Sequence, residues 1–187
     1  TKESSEYKAR GVFLCASALA SLHILMSSGS EDMPNGYANS SGALGLGIMD
    51  HHSGAGAGGR HPGFKDRYYT GRRPNGIYIP RFRNVGDDQR DYVRGYGFQG
   101  GASRGSWRST SNKKGFGADY KENLATPGDW TFRLGGFGEI LPLDSNRATL
   151  HPTKVDAWGI PQMHIECSLS ANELAMREDM AASAKAM

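Results

Sequence analysis

From residue 76 to residue 167 the chain is cut by turn residues into short runs of strand composition, and this punctuation narrows the possible folds more than any other feature. Short runs of β-branched and aromatic residues between Gly, Pro, Asn and Asp clusters read as strands. Residues 76–82 (Gly-Ile-Tyr-Ile-Pro-Arg-Phe) form one such run, with Pro80 marking an edge or a bulge because proline cannot donate to a ladder. Residues 90–99 carry Tyr92, Tyr96 and Phe98 at even spacing, which predicts three rings on one strand face. Residues 130–134 alternate large and polar side chains, and residues 135–143 and 147–150 read as further strands around a turn at 144–146. Residues 162–167 place Met163, Ile165 and Cys167 on one side of another strand. A helix is predicted over 170–187. Ser170 is its N-cap, Glu173 completes a capping box, and Leu174, Met176 and Met180 supply part of an apolar stripe.

The first quarter of the chain reads differently. Residues 11–16 are a continuous apolar run, as expected of a strand buried on both faces, and residues 17–28 follow as a helix stopped by Gly29. Residues 30–47 turn polar and glycine-rich, with Pro34-Asn35-Gly36 as a turn, and read as a loop crossing between domains. The expected fold class is therefore α+β: the end of an α/β layer over residues 1–47, then an antiparallel sheet with one long helix over residues 48–187. The chain starts at Thr1 and ends at Met187 inside a helix, so an internal piece of a longer parent chain is expected. Lys8-Ala9-Arg10 and the apolar run after it have the form of a secretory signal. The run continues at helical spacing to Leu25 and Met26, is interrupted by His23 and falls short of a bilayer, so no membrane span is expected.

Charge and chemistry-bearing residues exclude several functions. A net charge of +3, from 22 basic and 19 acidic residues, gives no argument for nucleic acid or membranes. Cys15 and Cys167 are isolated and read as small buried hydrophobes. His51, His52 and His61 lie close in sequence, but no carboxylate or cysteine pattern joins them, so no metal is expected. His151 reads as a surface residue and His164 as a strand residue, while Glu139 and Asp144 straddle a turn as ordinary surface charge. Residues 53–59 are glycine-rich but lack the Gly-Lys-Ser/Thr of a phosphate loop, and read as a flexible or closely packed strand. Arg94-Gly95-Tyr96-Gly97-Phe98 matches half of an RNA-recognition pattern, and Ile77-Tyr78-Ile79 resembles its partner strand. Gln99 and Gly101 then stand where valine and an aromatic belong, and the spacing leaves no room for the intervening helix and strand, so no nucleic acid partner is expected.

Residues 16–29, Ala-Ser-Ala-Leu-Ala-Ser-Leu-His-Ile-Leu-Met-Ser-Ser-Gly, resemble the second signature of the glucose–methanol–choline (GMC) family of flavin-dependent oxidoreductases. That signature runs Ala-Gly-x-x-x-Ser-Pro, an aliphatic stretch, then Ser-Gly. Ser21 and Ser28-Gly29 fit it, whereas Ser17 replaces the glycine and Leu22 the proline. Gly47-Ile48-Met49-Asp50-His51 resembles the family's Gly-x-Asn-Leu-x-Asp-His segment without its asparagine. Residues 66–84, 136–142, 146–150 and 156–161 resemble bacterial members in the same order, so the likeness covers most of the chain.

The resemblance implies FAD as cofactor, with Ala16, Ser17, Asp50 and His51 near it, small residues keeping the backbone close to the nucleotide. It implies an alcohol or sugar substrate losing hydride to the flavin, with Tyr69, Tyr78 and Phe98 on the substrate side, although core packing explains these rings equally well. Residues 1–47 would then be the C-terminal part of the FAD-binding segment and residues 48–187 the substrate-binding domain. The family's Gly-x-Gly-x-x-Gly and His-x-x-Gly-Thr segments do not occur here, so no catalytic residue is assigned and the missing N- and C-terminal parts of the parent become partners. A non-catalytic remnant or binding module stays as the alternative, and the choice between bacterial cytoplasm and periplasm stays open.

Overall fold

The structure, a computed structural model, describes residues 3–67, 76–105 and 114–187. The fold is α+β, built from antiparallel sheets and helices, and the chain divides into two compact units. One unit comprises Asp50–Ile140 with Leu169–Met187, the other Thr1–Met49 with Leu141–Ser168.

The first of these units is a five-stranded antiparallel sheet with a helix on one face. Its strands are β1 (His51–His52), β2 (Gly56–His61), β3 (Ile77–Ile79), β4 (Tyr96–Arg104) and β5 (Trp130–Glu139). β5 is central: β4 pairs along one side and β3 follows as the edge, while β1 and β2 share the other side of β5. Pro80 follows edge strand β3, where a missing donor is harmless. Between His52, opposite Gly138, and Gly56, opposite Gly135, the β1–β2 side carries one more residue than β5 does. That β-bulge is turned by Gly54 at φ +89°, and Ala55 O still accepts from the Gly136 N–H at 2.8 Å.

Alternation assigns the faces. Tyr96 and Phe98 of β4 lie opposite Gly138 and Gly136 of β5, and all four point toward the helix α3 (Ala171–Ala186). Met176 and Met180 of α3 fill the space left by the two glycines, completing a core with Tyr92, Tyr96, Phe98, Ala55 and Ala184. Phe82 packs edge-on to Tyr96 and stacks on Phe98. The start of α3 carries the expected capping box, with the Ser170 N–H donating to Glu173 Oε2 and Ser170 Oγ accepting from the Asn172 N–H.

Several expectations are corrected here. The strand expected over residues 90–99 begins only at Tyr96. Arg94 is left-handed at φ 73°, and the loop before it wraps around Asn84, whose amide donates to the Tyr92 and Arg94 carbonyls and whose Oδ1 accepts from the Arg90 N–H. Tyr92 still reaches the core, but from that loop. The strands expected separately at 130–134 and from 135 are one continuous β5. A helix α2 (Gly117–Ala125), which buries no residue, was not expected because its sequence has no apolar period.

In the other unit, α1 (Ala18–Ser27) lies beside a two-stranded hairpin of β6 (Arg147–Val155) and β7 (Pro161–Glu166). His23 Nε2 donates to Pro161 O at 2.6 Å. Asn146, fully buried, ties the hairpin to the incoming chain. Its Nδ2 donates to Ser168 O, its Oδ1 accepts from the Ser168 N–H, and its carbonyl accepts from Ile48. Residues 11–16 form no strand: they have no ladder partner among the described residues, and Val12 and Phe13 are 87% and 92% exposed. An apolar run signals burial only where a neighbouring strand exists to pair with it. Cys15 and Cys167, expected inside, are both exposed.

Candidate functional site

The sheet of the Asp50–Ile140 unit has two faces of different character. On the helix face, the interior is closed by a carboxylate at its rim. Asp179 of α3 accepts at Oδ2 from Tyr92 Oη and Tyr96 Oη, both at 2.7 Å, and from Arg83 Nε at 3.0 Å. Ser183, one turn on, meets Tyr96 Oη at 3.0 Å and Arg83 Nη2 at 2.9 Å, and the Arg83 guanidinium lies over the Phe82 ring. Burial raises the Asp179 pKa, but the two hydroxyls and the guanidinia of Arg83 and Arg90 outweigh it and hold the carboxyl below its ordinary value. The ring hydroxyls respond oppositely: burial and the Asp179 charge push Tyr92 far up. Every group in the cluster is satisfied from within, so it fastens α3 to the loop before β4.

The opposite face is open. His51, Gln99, Arg133, Phe137 and Tyr78 all point outward by register. Between them the floor is main chain, because Gly56, Gly58, Gly97, Gly101 and Gly135 occupy the intervening outward positions. His51 stands edge-on to Phe137 at 6.3 Å, and Tyr78 is 68% exposed at the far edge. A flat glycine floor between exposed rings suits contact with the face of a ring or a short carbon chain, with Arg133 and Gln99 available for polar atoms. Asp50 turns its Oδ1 onto the His51 N–H at 2.6 Å, which fixes the entry to β1. Glu139 is paired with Arg94 at 3.6 Å.

The expected site residues therefore separate. His51 and Tyr78 share the outward face, with Asp50 beside His51. Phe98 is fully buried on the helix face, and Tyr69 lies outside the described residues. Ala16 and Ser17 belong to the other unit, immediately before α1. Ser17 is held at φ 66°, ψ 170°, a region that is essentially glycine-only, and α1 begins there with no side-chain cap and no acidic residue in its first turn. Adjacent His51 and His52 point to opposite faces, and the His61 ring stacks on Phe64. Among the described residues no three His, Cys, Asp or Glu side chains converge as a metal site. Tyr96 and Phe98, the rings of the RNA-recognition pattern, are in the core. Gln99, Arg133 and Phe137 on the open face were not singled out from sequence. Only the ladder register brings them beside Tyr78 and His51.

No family model matches the chain. It is 26% identical over 189 residues to a 2-methyl-1,2-propanediol dehydrogenase of Mycolicibacterium austroafricanum, an alignment covering 91% of the chain and 32% of that protein. The chain thus spans about a third of the length of the curated relative it matches. No helix among the described residues is long and apolar enough to cross a membrane.

Proposed function

We propose that the chain is part of an FAD-dependent oxidoreductase of the GMC type that oxidises an alcohol or sugar hydroxyl, with the open sheet face on the substrate side. The observation that carries this reading is Ser17. Where the GMC signature has glycine, the backbone keeps a conformation that only glycine adopts freely, although the side chain is serine. The likeness to a dehydrogenase whose name specifies an alcohol substrate supports the reaction class.

The residues before α1 fit a nucleotide cofactor. Ala16 and Ser17 are small enough for close backbone approach, and the uncapped first turn of α1 offers main-chain N–H groups to an anionic group. A bound flavin supplies the acceptor for the hydride leaving the carbinol carbon. The roles of this chain's residues are to bind and orient: Asp50 fixes His51 at the sheet entry, and His51, Phe137 and Tyr78 flank a floor on which an alcohol can lie. The exposed apolar residues 12 and 13 fit a surface covered by further parts of a longer parent chain.

The test is to purify the complete parent chain. It should carry a flavin absorbance spectrum that bleaches anaerobically with a small aliphatic diol or a sugar, and Asp50→Ala should lower flavin content or slow bleaching. A parent chain without flavin, or with a flavin that no alcohol reduces, rejects the proposal.

A further inference from the structure

His52 is 2% exposed, beneath the first turns of α3 and opposite Gly138, and its Nε2 has no hydrogen-bond partner. A neutral imidazole has one donor and one acceptor nitrogen. The Glu173 main chain favours the ring from one side, and in the neutral form the unsatisfied buried atom is Nε2. Protonation changes the arithmetic. Both nitrogens become donors, and a cation is enclosed in a dry contact. We propose that His52 is an acid-sensitive latch: neutral, it lets α3 dock on the sheet, and protonated, it releases the first turns of the helix.

The charged groups that reach the ring both come from α3. Arg177 repels an imidazolium, and Glu173 attracts it. The Glu173 carboxylate is engaged elsewhere, with Oε2 accepting from the Ser170 N–H and Ser170 Oγ and Oε1 accepting from Asn172 Nδ2. Turning it toward His52 undoes the capping box that starts the helix. From β5 the facing residue is Gly138, and the nearest charge on that strand, Glu139, points to the open face with Arg94 as its partner. Relief of the protonated ring thus requires either loss of the cap or lifting of α3. Burial, reinforced by Arg177, holds the His52 pKa below its ordinary value. A depressed folded-state pKa means that the docking is fully present above the unfolded value of 6.5 and weakens as pH falls below it.

Native-state hydrogen exchange of the α3 amides, corrected for intrinsic rates, tests the latch. Between about pH 7.5 and about pH 5.5 the opening equilibrium of α3 should rise by up to about tenfold per pH unit below the unfolded pKa. His52→Gln, which keeps a polar side chain but cannot titrate, should abolish that rise, and His164→Gln, in the other unit, should leave it intact. A flat response in the wild type, or an equal response in wild type and His52→Gln, overturns the proposal. Should His52→Gln fail to fold, NMR titration of the wild-type imidazole decides the matter. Titration at or above 6.5 with α3 still docked overturns the latch, and titration below 6.5 together with loss of α3 protection supports it.

Discussion

Met176 stands directly over Gly138: a methyl group built on that glycine would lie 2.6 Å from the Met176 sulfur. Gly136 has the same relation to Met180, at 2.7 Å. The helix rests on bare main chain, and the two thioethers occupy the volume that β-carbons would take.

Gly138→Ala should therefore destabilise the sheet–helix unit by about 1–3 kcal/mol in urea unfolding. The penalty should shrink in a Met176→Ala background, giving a clear coupling energy between the two positions. Gly101→Ala, on the open face with only a distant neighbour, should be nearly neutral. Equal losses at positions 101 and 138 would refute the packing account.

Asp179 collects two tyrosine hydroxyls and a guanidinium, so Asp179→Ala strands three donors at the edge of the core. The expected loss is about 3–5 kcal/mol, and Tyr96→Phe should lose about 1.5–3 kcal/mol. Because the folded-state carboxyl pKa is lowered, its stabilisation is present above the ordinary value of 3.8 and is lost as pH falls through the folded value. Acid unfolding followed by tyrosine near-ultraviolet dichroism should show this loss in the wild type, and Asp179→Asn should remove that component.

Ser17→Gly should stabilise the protein. The φ 66°, ψ 170° backbone strains any L side chain by about 1–3 kcal/mol, and the entropy of an unfolded glycine takes back about 0.5–1 kcal/mol. A net gain of about 1 kcal/mol in chemical denaturation follows from those two figures, and Ser17→Val should be worse than wild type. A destabilised Ser17→Gly would show that serine is needed there for a contact.

Local signals were the most legible part of the sequence. The Ser170–Glu173 capping box and the Met176–Met180 stripe predicted α3 because both act within a few residues of one another. The turn at 144–146 was readable for the same reason. Where the sequence misled, long-range partners decide. Residues 11–16 have strand composition, yet none of the described residues pairs with them in a ladder. The partners of Asp179 lie 83 to 96 residues away, and no spacing rule reaches that far. Tyr78 and Phe98 look alike as candidate substrate aromatics, but the ladder puts one on each face of the sheet.

His51 and His52 are chemically identical neighbours, and what distinguishes them is a matter of phase. A strand is read two residues at a time, inward and outward, and the extra residue at the bulge is a frameshift in that reading. Upstream of it even-numbered positions face α3, and downstream odd-numbered ones do. Pairing all three of residues 53–55 in a regular ladder while β2 keeps its register would bring His52 opposite Glu139 and exchange the two imidazoles, sending the exposed one into the core and the buried one to the surface. Which histidine meets the helix is thus written in the three residues that follow the pair.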